Sequence, residues 1–120
     1  MGKKKARWHQ ITPTEFRSIA LGMEGATEGA HMGHPDFRVN GRIFATLSAD
    51  GHWGMVKLTP DQQQDLVRVH PTTFVPASGA WGRMGSTMVR LDSVDEATLG
   101  DALTVAWQNT AHQRPARRRG

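Results

Sequence analysis

Cysteine is absent from the 120 residues, which excludes a disulfide scaffold, thiolate chemistry and a zinc–cysteine site, and removes any need for an oxidising compartment. Long apolar runs are missing too. No stretch approaches the roughly 20 residues of a membrane span, and the basic opening MGKKKARWHQ is not followed by the apolar segment of a signal peptide. A soluble, cytoplasmic protein with no membrane partner is the expectation. Internal repeats and long low-complexity segments are also lacking, so the length fits one domain around one hydrophobic core.

Signatures of catalysis are equally sparse. Ser78 and Ser86 lie outside any G-x-S-x-G elbow, and neither an H-E-x-x-H motif nor a paired-carboxylate spacing is present. His31 and His34 stand near Asp36 in AHMGHPDF, a spacing that could offer two imidazoles and a carboxylate to a metal. No helix places the two on one face and proline follows directly, so a turn accounts for the segment. The expectation is a protein that is not an enzyme and holds no metal or cofactor.

What is present is unevenly charged. Lys3, Lys4, Lys5, Arg7, Arg114, Arg117, Arg118 and Arg119 are eight of the fifteen basic residues, and all lie near the ends. The eleven acidic residues fall between Glu15 and Asp101, among only seven basic ones. The sequence predicts a basic arm over residues 1–10, a single acidic domain over 11–112 and a basic tail over 113–120. Arms of this kind are commonly disordered; they either attract nucleic acid without sequence preference or serve as solubilising ends.

Within the body, Thr12-Pro13-Thr14-Glu15 and Thr59-Pro60-Asp61-Gln62 each carry the capping hydroxyl, first-turn proline and Glu or Gln of a helix start. They predict helices from Pro13 to about Gly22 and from Pro60 to His70-Pro71. Ser93 with Glu96 opens a third helix through Leu99, Leu103, Ala106 and Trp107. Between the first two the period falls from 3.6 to 2. Asn40-Gly41 and Asp50-Gly51 are hairpin signals and define strands at 36–39, 42–48 and 52–58. A further strand spans Ser86 to Leu91, and short ones at 29–32 or 73–75 fit the pattern. The order predicts an α+β two-layer sandwich, roughly α-β(3-4)-α-β(1-2)-α, with helices on one face of an antiparallel sheet.

Two-residue turns would set the register. Ile43, Ala45 and Leu47 then share the helix face with Leu58, Val56 and Gly54, while Phe44, Trp53, Met55 and Lys57 take the other face, with Phe37 opposite Phe44. Met88 and Arg90 join that second face. Rings among cations could stack bases while the cations meet phosphates. Alternatively a helix or a dimer partner covers the face and the rings are packing, the commoner use of aromatic residues at strand spacing. The same register puts Arg38 on the apolar face, which requires either a position at the rim or a longer turn.

The segment PASGAWGRMGSTMVRLD spaces Gly79, Gly82 and Gly85 equally. It lacks the Lys-Ser/Thr of a Walker loop and the G-x-G start of a dinucleotide fingerprint, and it leads into a strand rather than a helix. Nucleotide hydrolysis is excluded on that ground. Its glycines allow a close backbone approach, folding Trp81 onto the domain with Arg83 outward.

Three collinear segments, GHPDFRVNGRIFATL, VKLTPDQQQDL and HPTTFVPASGAWGRMGSTMVRLDSVD, give the chain from about Phe16 to Trp107 a form that resembles the MmcQ/YjbR family. The resemblance implies a CyaY-like (frataxin-like) sandwich, a bacterial cytoplasmic protein and a DNA-binding role attributed to a double-wing arrangement of elements. Frataxin-like iron binding does not carry over, because the first helix offers Glu15 and Glu24 rather than a carboxylate-rich ridge. The expected DNA site combines Arg83 and Trp81 of the glycine loop with Arg42, Lys57 and Arg90 of the sheet, and the arms as anchors. The alternative is a module for a small molecule or protein partner built around Phe37, Phe44 and Trp53, the chain being a monomer or a weak dimer.

Overall fold

The structure, a computed structural model, describes residues 10–112, so both basic arms lie outside the described residues apart from Gln10. In chain order the elements are α1 (Pro13–Leu21), β1 (Thr27–His31), β2 (His34–Val39), β3 (Arg42–Leu47), β4 (Trp53–Lys57), α2 (Pro60–Val69), β5 (Phe74–Pro76), α3 (Gly79–Arg83), β6 (Ser86–Arg90) and α4 (Glu96–Ala111). The strands form one six-stranded sheet in the order β1-β2-β3-β4-β6-β5, each neighbouring pair antiparallel. It is an α+β sandwich. None of its helices among the described residues is long and apolar enough to cross a membrane.

Local chemistry sets the helix starts. Thr12 and Glu15 close a reciprocal capping box, the Glu15 N–H donating to the Thr12 hydroxyl at 3.1 Å and the Thr12 N–H to Glu15 Oε1 at 2.9 Å. Thr59 and Gln62 repeat it at 3.2 and 2.9 Å. At α4 the cap is Asp95, not the expected Ser93: Asp95 Oδ1 accepts from the Thr98 N–H at 2.7 Å. Ser93 is occupied elsewhere, its hydroxyl sharing a hydrogen bond with that of Thr73 at 3.1 Å.

The turns are more varied than the sequence suggests. Asn40 and Gly41 both take positive φ, 55° and 77°, as a type I′ hairpin requires. Met32 and Gly33 do the same and join β1 to β2; the other short strand, β5, forms against β6. The Asp50 turn keeps the expected pairing of Leu47 with Gly54 but is longer than two residues. The Gly51 N–H reaches the Ser48 carbonyl, and Asp50 Oδ1 accepts from the Ser48 hydroxyl at 2.6 Å and the His52 N–H at 3.0 Å. That carboxyl titrates below its usual range, chiefly through the Ser48 hydroxyl and then the His52 amide.

One irregularity changes the faces. Phe37 pairs with Ala45 and Arg38 with Ile43, leaving Phe44 as the extra residue of a β-bulge. Phe44 therefore turns to the helix side and Ile43 to the other. Phe37 and Phe44 are fully buried with Phe16, Leu47, Val56, Val89, Leu99 and Leu103, and the Phe16 and Phe37 rings meet at 5.8 Å between centroids. Burial of each such ring is worth roughly 1.5–3 kcal/mol. The expected Phe37–Phe44 recognition pair is thereby corrected: both rings are core. The bulge also places Arg38 on the face away from the helices.

Candidate functional site

The sheet face opposite the core is floored by Ile43, Thr46, Met55 and Met88, side chains that the observed register aligns across β3, β4 and β6. Two adjoining depressions occupy it. One, of about 340 Å³, runs toward His34 and Asp36; the other, of about 490 Å³, is walled by Trp81 and Lys57. His31 borders both. Such concave, mostly apolar ground bounded by a few polar groups is the usual form of a ligand site.

Each end of the face carries a tryptophan beside a cation. Lys57 Nζ lies 5.7 Å from the centre of the Trp81 ring, and the Arg90 guanidinium 5.2 Å from that of Trp53, both within cation–π range. Trp81 is 66% exposed rather than folded onto the domain. The Arg90 guanidinium also lies 3.5 Å from Asp92. Toward the β1–β2 edge, Arg38 binds Asp36 through two nitrogens, at 2.8 and 3.1 Å. Asp36 is fully buried, and its hydrogen bonds and charge make Arg38 hold its proton more firmly than usual.

The glycine loop positions Trp81. It forms the five-residue helix α3 where the sequence pattern predicts a tight loop. A Cβ on Gly82 would overlap the Ala77 carbonyl, and one on Gly85, whose φ is +112°, would overlap the Leu58 carbonyl. Only glycine allows both approaches. The buried Gln63 of α2 locks the loop, its amide donating to the carbonyls of Gly82 and Ser86 at 3.0 Å each. Gly82 and Gly85 are thus packing glycines around a displayed indole, while Gly79 serves through its positive φ of 69°.

Of the five residues expected to meet DNA, Trp81, Lys57 and Arg90 frame this face. Arg42 does not: the bulge that turns Arg38 outward turns Val39 and its partner Arg42 to the helix side, where Arg42 lines a separate cleft with Asn109 and Thr110, and Arg83 is exposed at the end of α3. Trp53 remains on the face, without Phe37 and Phe44. His31, His34 and Ile43 were not placed here by sequence reasoning, the histidines because Met32-Gly33 was not recognised as a hairpin turn. His31 and His34 stand opposite each other across that turn. Among the described residues no three His, Cys, Asp or Glu side chains converge as a metal site would need. Ser48, Asp50 and His52 hold the residue types of a hydrolase in the wrong connection, since the hydroxyl donates to the carboxylate rather than to the imidazole.

Charge is sorted between the two sides. Arg17 and Arg68 lie on helices and pair with Glu28 and Asp65. Of the other five basic residues of the described chain, Arg38, Lys57 and Arg90 stand at the open face, Arg38 and Arg90 beside Asp36 and Asp92; Arg42 lines a cleft on the helix side and Arg83 is exposed at the end of α3. Glu15, Asp61, Asp65, Glu96 and Asp101 belong to the helices. The arrangement can hold an anionic or aromatic ligand by stacking and charge.

Comparison with known proteins bears on both family and fold. The YjbR family model matches residues 21–109. No curated protein matches the chain at a significant level. The chain is similar in structure to the crystal structure of Deinococcus radiodurans protein DR2400, which carries a DUF419 domain, with a TM-score of 0.75 at 18% identity over 87% of this chain and 81% of that one. At that identity the likeness is one of fold.

Proposed function

The chain belongs to the YjbR family, and from that premise we propose that it is a non-enzymatic DNA-binding protein that meets its ligand with the open face of the sheet. The observation that carries this reading is the sorting of charge. A body that is acidic on balance nevertheless presents Arg38, Lys57 and Arg90 at one face, with Lys57 and Arg90 beside tryptophans, where phosphate contacts supply affinity. Trp53 and Trp81 add stacking surfaces at its two ends, and the basic arms add charge beyond the described residues.

The test is a titration of duplex DNA with the full chain at two salt concentrations. The double variant Lys57→Ala, Arg90→Ala is expected to weaken binding and to lower the salt slope by about two phosphates. A Lys3, Lys4, Lys5→Gln variant is expected to lose affinity while leaving the contribution of the face in place. Unchanged binding by the double variant, with all affinity lost in the arm variant, would remove the face from the site.

One observation favours a second reading. The Met55 and Met88 floor is apolar and concave, a form suited to a small molecule or a protein side chain. That reading expects affinity insensitive to salt and abolished by Met88→Lys.

A further inference from the structure

A third cleft, of about 520 Å³, opens beside the open face between the start of β3, the end of β4, the first residues of α2 and the last turn of α4. Its polar lining comes from Arg42, Lys57, Thr59, Asn109 and Thr110. Neither Arg42 nor Lys57 forms an ion pair among the described residues. Thr110 is only 5% exposed, yet its hydroxyl has no hydrogen-bond partner among the described residues, which is unusual for a buried polar group. Asn109, by contrast, is spent on structure: its amide donates to the Lys57 carbonyl at 3.0 Å and to Gln62 Oε1 at 2.9 Å. It holds α4 against the end of β4 and so fixes Thr110 beside the two cations. At the end of α4 the Ala111 carbonyl accepts from the Asn40 amide at 3.1 Å.

We propose that this cleft binds the phosphate of an aromatic phosphomonoester, Arg42 and Lys57 supplying charge and the Thr110 hydroxyl supplying a buried donor. Ile43 and Lys57 line both this cleft and the depression walled by Trp81. A ligand whose phosphate sits in the cleft can therefore extend a flat ring toward the indole. The mononucleotide is the simplest class with both parts. The assignment does not rest on the duplex-binding reading: mononucleotide binding without duplex affinity would remove that reading and leave this one.

The experiment follows backbone amide resonances of the full chain during titration with inorganic phosphate and, separately, with thymidine 5′-monophosphate. Both probes should move Thr59, Asn109 and Thr110, and the nucleotide should bind roughly tenfold more tightly through stacking, an advantage lost in Trp81→Ala. Thr110→Val should weaken both probes by roughly tenfold, the scale of a hydrogen bond to a charged group, while holding or raising the melting temperature because an unpaired hydroxyl leaves the interior. Arg42→Gln should weaken both probes with the fold intact. Shifts confined to other regions, or Thr110→Val binding phosphate as tightly as the parent, would overturn the site; equal affinity for the two probes would overturn the aromatic phosphomonoester as its ligand.

Discussion

Removing the Arg38 guanidinium would leave the Asp36 carboxylate fully buried with no cation beside it. The planar fork makes two bonds to Asp36, a geometry a lysine ammonium cannot reproduce. Arg38→Met should therefore lower the melting temperature more than Arg83→Met, a change at an exposed arginine with no carboxylate partner among the described residues, and Arg38→Lys should recover only part of the loss. Thermal denaturation followed by circular dichroism decides it; equal effects at the two positions would mean that Asp36 is satisfied without Arg38. The same arginine marks the limit of reading faces from sequence. Ile43, Phe44 and Ala45 are three successive apolar residues, so alternation alone cannot say which of them is the bulged one. A regular ladder put Arg38 in the core and Phe44 outside it, and one extra residue reverses both. The misfit of Arg38 was the visible sign of the bulge.

At the scale of elements, what local chemistry specifies could be read directly. Thr-Pro-x-Glu and Thr-Pro-x-Gln close as capping boxes because donor and acceptor lie within one turn, and Asn40-Gly41 turns because both residues tolerate positive φ. Helix α3 could not be read in that way. It depends on Gln63, nineteen residues from Gly82, and on carbonyls of Ala77 and Leu58 that approach only in the folded state. The start of α4 is intermediate, since Ser93 and Asp95 are both good caps and the Thr73 hydroxyl takes Ser93 away. Asp95 then carries a pH dependence. The Thr98 amide, then the Thr98 hydroxyl, depress its folded pKa, so its contribution is present above the ordinary aspartate value of about 3.9 and is lost as the pH falls below it. Asp95→Asn keeps a capping oxygen without the titration. Urea unfolding at pH 7 and pH 3 should show a smaller acid loss in this variant than in the parent; an identical loss would exclude Asp95 from the acid response.

Across the whole molecule, the net charge of the described body hides an arrangement that no linear reading of charge provides. The sequence separated basic ends from an acidic middle, but the placing of Asp61, Asp65 and Asp101 on helices and of Lys57 and Arg90 beside tryptophans at the sheet face follows from the topology. Helix α2 is about 10 Å across with its side chains, so carboxylates on the outer side of the helices stand farther from the open face than the screening length of about 8 Å at 0.15 M salt. If DNA meets the open face, neutralising those carboxylates should matter little there. The triple variant Asp61→Asn, Asp65→Asn, Asp101→Asn changes three exposed residues of α2 and α4. Its affinity for DNA should lie within about twofold of the parent at 0.15 M salt and rise clearly only near 0.01 M, where the screening length reaches about 30 Å. A gain above tenfold at 0.15 M, with an unchanged melting temperature, would instead place the DNA against the helices. The Lys57→Ala, Arg90→Ala variant run in the same buffers fixes the sign: loss from the sheet face together with near-constancy from the helix side assigns the contact to the sheet.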